Sequence, residues 1–396
     1  MTRAHPAADA QTGQQAFDVV IVGGGIAGSA AAARLGARHR TAFVDMHATY
    51  PPDFRADKVG GSQIALMSRL GLAAALDAHA RQTRGVARIQ HGRVVDRGEP
   101  VEYNLPYEVL VNDVRDLIPP SVHRVSGRAA SVEASDDGAR VTMASGEVLT
   151  ARLLVLATGL GDAMRRQLGI TRQMLRAAHS VTIGFDIARA PDAPPLPADT
   201  LCLYGERPKD GIDYLSIFPF PGVLRANLFV YREPSDSFYD AFAADPKRRL
   251  LEAFPGLEVH LGDFSIEGRV HKRPIDLYET QGHRRAGVVL LGDAFRSGCP
   301  AVGSGLNRAL TDVETLDRLL PDWLATPGMD ATKIAAFYDD PAKRACDAKA
   351  AHDAEYRRAS TIGTGLRWTL HRARVDAQER VRGLVGRLRR REEAVA

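Results

Sequence analysis

The stretch Phe17–Asp45 reads FDVVIVGGGIAGSAAAARLGARHRTAFVD. Asp18–Val22 is a short β-rich run, followed by Gly23, Gly25 and Gly28 in a G-x-G-x-x-G pattern. Ala30–Leu35 begins an alanine-rich helix, Thr41–Val44 is a second buried strand, and Asp45 stands at its carboxyl end. Strand, glycine turn, helix, strand and acid in this order read as a dinucleotide site. Gly23 permits the tight turn, Gly25 lets the backbone approach a diphosphate, and Gly28 lets helix and strand pack closely. The N–H groups at the helix start, around Ile26 and Ala27, present donors and positive dipole to phosphates. Asp45 is placed to accept hydrogen bonds from an adenosine ribose.

The remainder of the chain supports an enzyme-sized globular protein. Its 396 residues are 45% hydrophobic and 25% charged, enough for two domains and a substantial core. A net charge of +4 is too small to point to nucleic acid, and no interleaved aromatic and basic pattern suggests a base-stacking surface. Cys202, Cys299 and Cys346 are scattered without a C-x-x-C pair, so neither a structural zinc site nor any other metal site is expected. Residues Met1–Gln15 are polar and read as a frayed end rather than a targeting segment, which makes the cytoplasm the default location.

Two further landmarks lie far downstream. Leu153–Gly159, LLVLATG, is a buried parallel-type strand ending in glycine. In GVVLLGDAFRSGCPAVGSGLNRALT (Gly287–Thr311), Val288–Leu291 is another such strand, Gly292 and Asp293 end it, and a helix begins near Gly305–Asn307. All three landmarks are strand ends followed by glycine turns, which belong together at one edge of a doubly wound sheet. Between them, Val181–Ile187, Leu215-x-Ile217, Arg225–Tyr231, Val86–Ile89 and Val94–Tyr103 alternate by two, the pattern of half-buried antiparallel strands. Val141–Met143 and Val148–Thr150 read as a hairpin across Ser145-Gly146.

The fold class that follows is α/β: a doubly wound, Rossmann-like dinucleotide-binding domain with an inserted antiparallel-sheet domain and a C-terminal helical segment. The expected boundaries are 14–83, 107–178 and 271–325 for the nucleotide domain, 84–106 and 179–270 for the inserted sheet, and 326–396 for the helical segment. Val381, Leu384, Val385 and Leu388 in the arginine-rich tail fall on one helical face. Such a helix either packs on its own protein or contacts a partner or an anionic membrane. The sequence leaves the oligomeric state open.

On these motifs the chain resembles the FAD-dependent aromatic hydroxylases, the group A flavoprotein monooxygenases typified by para-hydroxybenzoate hydroxylase. The resemblance implies that Gly23, Gly25, Ile26, Ala27, Gly28 and Asp45 hold the ADP half of FAD. It assigns Gly292-Asp293 to the ribityl chain. Pro300 with Gly303-Ser304-Gly305-Leu306-Asn307 resembles the family's P-x-x-G-x-G-x-N loop, in which the proline lines the reaction site and backbone N–H groups face the flavin pyrimidine edge. Arg55, in DFRADK, sits where the family often places an arginine near the FAD phosphates or ring, with Lys58 a weaker candidate. Asn112 and Arg115 resemble a family helix start that reaches toward the flavin. Cys299 is a candidate to line the flavin pocket, or a small packing residue. The resemblance names no catalytic base.

Two departures stand out. The middle motif reads Ala157-Thr158-Gly159 where the family has Asp-Gly, with Asp162 further on, which leaves NAD(P)H handling open. Phe295-Arg296 replaces the usual Ala-His after Gly292-Asp293. The implied activity is hydroxylation of an aromatic or other electron-rich, hydrophobic metabolite with NAD(P)H and O₂ through a flavin C4a-hydroperoxide. Same-fold alternatives are a two-component monooxygenase, a halogenase, a prenyl reductase and a non-enzymatic flavoprotein. Tyr214, Phe218, Arg225 and Phe229 are candidates for the pocket floor, although alternation alone does not say which face each occupies.

Overall fold

The computed structural model of the chain describes residues 15–55, 58–375 and 377–378. The strand Gln15–Val22 is the centre of a seven-stranded sheet. It pairs in parallel with Thr41–Asp45 on one side and Val148–Leu156 on the other. Val19, Val20, Ile21 and Val22 are all buried, as a strand covered on both faces requires. Val22 stands opposite both Val44 and Leu156, and Leu156 opposite Leu290. Three strand ends remote in sequence therefore finish in line at one edge, where the sequence landmarks place them.

The expected hairpin strand Val148–Thr150 and the landmark at Leu153 are one continuous strand, Val148–Leu156. Its first half pairs antiparallel with Gly138–Met143, and its second half pairs in parallel with Val288–Leu290. The side-chain pattern switches accordingly, from alternate burial to continuous burial. A change of neighbours thus looked like a change of element.

The alanine-rich helix Ile26–Gly36 packs against helices Tyr107–Asp116 and Gly305–Ala325. Its side chains are small enough for close approach on nearly every face. Arg152 and Lys333 donate to the last carbonyls of the Gly305–Ala325 helix and the turn beyond it, groups that have no partner within the helix itself.

The second sheet has eight strands, in the spatial order Phe264–Gln281, Thr171–Arg189, Val223–Val230, Ile212–Phe220, Thr200–Tyr204, Arg81–Gln90, Arg93–Asn104 and Lys58–Val59. The boundaries expected at 178/179 and 270/271 both fall inside its two longest strands. These strands pair with each other from Thr171↔Gln281 to Arg189↔Phe264, so one ribbon runs between the two sheets. Val181, Ile183, Phe185, Leu215, Ile217, Ala226 and Leu228 form one apolar face with Tyr239, Phe242, Leu250 and Phe254 of the short helices at 238–261. The opposite face looks toward the carboxyl edge of the first sheet.

The C-terminal helix Pro341–Ile362 packs against the helix Gly305–Ala325, the turn Pro300–Val302 and the strand Ile212–Phe220, followed by a helix over residues 366–375. The tail residues Val381, Leu384, Val385 and Leu388 lie outside the described residues. Among the described residues, no helix is long and apolar enough to cross a membrane.

Candidate active site

The three glycines of the first turn meet three different demands. Gly23 has φ +107°, a conformation side chains disfavour, and a Cβ there would lie 2.5 Å from Ala157 O. A Cβ on Gly28 would lie 1.8 Å from Gly23 O. At Gly25 the nearest atom to a Cβ is the Tyr107 hydroxyl at 3.8 Å, so this side of the turn is open. The helix that starts at Ile26 has no acidic residue in its first turn, and its positive end is left for a ligand. Ile26 N–H donates to the Tyr107 hydroxyl over 3.4 Å.

Asp45 Oδ2 accepts from Gly24 N at 2.7 Å, and Oδ1 accepts from Arg115 Nη2 at 3.0 Å. Arg115 is buried and also donates to Gly24 O, His47 O and Ala48 O. It lies in the last turn of the helix Tyr107–Asp116, not at a helix start as the resemblance suggested. Asn112, on the same helix, holds Tyr50 N and O. Both side chains shape the segment after Asp45, and the residue at the helix start is Tyr107. Sequence reasoning missed Tyr107 because a tyrosine after Leu105-Pro106 belongs to no spaced pattern.

Arg55 pairs with Asp53 at 2.6 Å and approaches Asp293 at 3.7 Å, with its guanidinium 5.2 Å from the Tyr107 ring centroid. Burial opposes its charge, but Tyr107, Asp53 and Asp293 outweigh that and hold it protonated above its usual range. The turn carrying Asp293 is clamped on several sides. Gly292 N donates to Asp312 Oδ2 at 2.7 Å, the Tyr278 hydroxyl to Asp293 O at 2.5 Å, and Arg165 to Ala294 O at 2.7 Å. Asp162 pairs with Arg165 at 2.5 Å and Arg172 at 2.8 Å. The acid displaced from the middle motif is therefore connected to the Asp293 turn through Arg165.

Behind that turn, Lys343 bridges Asp312 at 2.6 Å and Asp347 at 3.1 Å, and Arg308 pairs with Asp347 at 3.0 Å and lies 4.0 Å from Asp293. Burial pushes the Asp312 carboxyl up despite Lys343. Burial pushes Asp347 the same way, but Lys343 and Arg308 together bring it below its usual value.

Pro300–Val302 is one tight turn, Gly303 follows at φ +64°, and Ser304 precedes the helix Gly305–Ala325. Gln63 donates to Gly303 O at 3.0 Å, and Asn307 donates to Ser62 Oγ at 2.9 Å. The Tyr214 hydroxyl donates to Ala301 O at 2.9 Å and ties this loop to the second sheet.

Residues 16–328 match the family described as FAD binding domain. The chain belongs to this family. It is an FAD-dependent monooxygenase of the aromatic hydroxylase group. Two curated relatives from Streptomyces platensis carry the name 3-amino-4-hydroxybenzoate 2-monooxygenase. One is 29% identical over 327 residues, covering 76% of this chain and 79% of the relative. The other is 27% identical over 335 residues, covering 78% and 81%. Among solved structures, p-nitrophenol 4-monooxygenase from Pseudomonas putida superposes with TM-score 0.75 at 17% identity, covering 93% of this chain and 95% of that one. PqsL of P. aeruginosa, in complex with 2-aminobenzoylacetate, gives 0.69 at 22% identity, covering 88% and 100%. The flavin-dependent brominase Bmp2 gives 0.66 at 18%, covering 82% and 83%. At these identities the structures establish the shared fold.

The site's donor set fits FAD. An open glycine turn at an unneutralised helix start suits a diphosphate, and carboxylates at Asp45 and Asp293 suit hydroxyl-bearing chains. Tyr214, Phe218, Arg225 and Phe229, whose faces alternation left open, all lie opposite the apolar core, on the face that meets the Pro300 loop through Tyr214. Arg225 pairs with Asp186 at 2.5 Å and lies over Phe54 and Phe220. The Phe54 ring fills the space above Gly184, where a Cβ would lie 1.6 Å from it, and stacks on His271. Phe54 is a second residue that the sequence did not flag.

Cys299 is buried 3.8 Å from Ser180 Oγ and 3.9 Å from the Tyr231 hydroxyl, and burial pushes its thiol up. It packs with Phe229, Tyr231, Leu277 and Ala301 in a small buried cluster beside Pro300. His179 is fully buried, lies edge-on to Tyr231 at 5.6 Å, and has no well-formed hydrogen bond on either ring nitrogen. Burial lowers its pKa to about 4.

Proposed function

We propose that this chain hydroxylates an aromatic or similarly electron-rich ring, consuming one O₂, one NAD(P)H and one proton and releasing water and NAD(P)⁺. In this reading the diphosphate of FAD lies on the Gly23–Gly28 turn, Asp45 receives the adenosine ribose and Asp293 the ribityl chain. Arg115 acts through Asp45 and Gly24, while Arg55 faces the cofactor beside Asp293. The flavin, when bound, supplies the activation of O₂. The chain supplies position and charge. N–H groups of Ser304, Gly305 and Leu306, at the start of a 21-residue helix, would stabilise negative charge on the pyrimidine edge of a bound flavin. Pro300 and the aromatic face of the second sheet enclose the substrate and exclude water.

The observation that carries this reading is the bond between Tyr214 and Ala301. It joins the loop at the cofactor's reacting end to a sheet face bearing Phe218 and Phe229. Both curated relatives are named for a substituted benzoate, which supports a ring of that size as substrate. The test follows NADH and NADPH oxidation by the FAD-loaded protein with and without a panel of phenols and aminobenzoates. Ring-dependent consumption with an oxygenated product is expected, and consumption that ignores every ring compound would overturn the proposal.

A second reading has one observation behind it. Asp162 is engaged by Arg165 and Arg172, and the usual acid of the middle motif is absent, which favours reduction by a separate flavin reductase. Turnover only when such a reductase is added would select it. Halogenation is disfavoured because the two tryptophans, Trp323 and Trp368, lie outside a W-x-W-x-I-P motif.

A further inference from the structure

Two polar side chains on the cofactor side of the second sheet are not used by the site described so far. Ser216 is 7% exposed and Asn227 4% exposed. Their sequence neighbours Leu215, Ile217, Ala226 and Leu228 belong to the apolar core on the other face, so both side chains project toward the cofactor loop. They stand directly opposite each other across adjacent strands. Among the described residues neither side chain enters a hydrogen bond, and both keep a sliver of exposure, whereas Thr182 Oγ1 on the same face is wholly buried without a partner. Groups so nearly removed from water are ordinarily paired. An adjacent unpaired trio therefore points to a ligand.

The surroundings say what that ligand is. Asn227 is paired in register with Gly184, the position over which the Phe54 ring lies, so an aromatic wall borders it. Tyr214, two residues from Ser216 and on the same face, holds the Pro300 loop through Ala301, and two residues of strand span only about 7 Å. The nearby cations are already neutralised. Lys58, over Phe218, pairs with Glu102 at 2.6 Å, and Arg225 pairs with Asp186 at 2.5 Å. A carboxylate placed here would gain no free cation and would leave Asn227 Oδ1 without a donor. A hydroxyl or amino group both donates and accepts, and matches the amide and hydroxyl together.

We infer that Asn227 and Ser216 form a neutral donor–acceptor seat for a hydroxyl or amino substituent of the substrate ring. This rests on the monooxygenase reading above. It adds the residues that select the ring's neutral polar edge.

The test measures dissociation constants from ligand-induced changes in the visible spectrum of the FAD-loaded protein. The probes are 2-aminophenol, 2-methylaniline (its methyl isostere) and benzoate. The parent protein should bind 2-aminophenol about tenfold or more tightly than 2-methylaniline, because the isostere leaves buried polar groups unpaired. Asn227→Leu should bring that ratio close to one, and Ser216→Ala should reduce it by about threefold. Ser216→Ala gives an independent reading should Asn227→Leu fail to hold FAD. A ratio unchanged in the variants would mean the seat holds only water and would overturn this inference alone. Tighter binding of benzoate than of 2-aminophenol would also overturn it. A parent protein whose flavin responds to none of the three probes would overturn the monooxygenase reading together with it.

Discussion

The two ends of the cofactor cleft are built in opposite ways. At the proposed diphosphate end, Gly23, Gly25, Gly28 and Asp45 come from one strand–helix–strand unit, and the polar groups around Asp45 are bonded to one another. At the ring end, the wall is assembled from residues 50–55, the second sheet, the Pro300 loop and the C-terminal helix. Arg357 of that helix pairs with Asp213 at 2.8 Å and lies over Tyr204 and Tyr214. Yet among the described residues Ser216, Asn227 and Thr182 have no side-chain hydrogen bond, and His179 is buried without a well-formed one. A site that holds the same cofactor at all times gains from pre-organised contacts. A site that must accept and release a changing ring keeps polar capacity in reserve.

Gly28→Val should break the first end outright. A side chain 1.8 Å from Gly23 O cannot fit without opening the turn. The variant should emerge from gel filtration without visible flavin absorbance. Retention of stoichiometric FAD would show that the turn is not the diphosphate seat.

His179 tests the second end through pH. Its ring is held neutral, with a pKa near 4 against 6.5 for a free histidine. The unfolded chain takes up a proton near pH 6.5 that the folded chain refuses until about pH 4. This contribution to stability is therefore complete above pH 6.5 and is lost as pH falls toward 4, amounting to about 3 kcal/mol. In His179→Leu that loss should be absent. Denaturant unfolding of both proteins at pH 7 and at pH 4.5 checks it, and a difference between them that stays constant with pH would contradict a buried neutral ring.

Asp45→Asn is the mildest change. It keeps the shape but loses the charge facing Arg115 and weakens acceptance from ribose hydroxyls. FAD affinity, measured by fluorescence titration of the apoprotein, should fall about fivefold to tenfold. Ligand discrimination at the ring end should stay the same. A change in that discrimination would mean the two ends are coupled and would weaken the contrast between them.

The glycine turns and the strands leading into them were legible because each demand is local. A positive φ, a close backbone approach and an acid at the next strand end all fall within a few tens of residues. The alternation at 181–187 and 225–231 likewise gave strands, but not which face meets the cofactor. That depended on the helices at 238–261 covering one side. Arg115 was legible as a charge near the site, while its place in the last turn of a helix, behind Asp45, was not.

From its own order of residues this chain determined a strand–turn–helix nucleotide site, a paired second sheet and the glycine loops at 292 and 303, since backbone conformation and burial periodicity are written in neighbouring positions. Only the tertiary structure decided that Tyr107 lies beside the Gly23–Gly28 turn, that Asp162 is linked through Arg165 to Ala294 in the turn after Asp293, and that Ser216 and Asn227 lie side by side without a hydrogen-bond partner among the described residues. The first two relations join segments tens to hundreds of positions apart, and the third depends on the register of a hairpin and on which of its faces the helices at 238–261 cover. They arise from how the sheets and helices pack, and no local spacing encodes them.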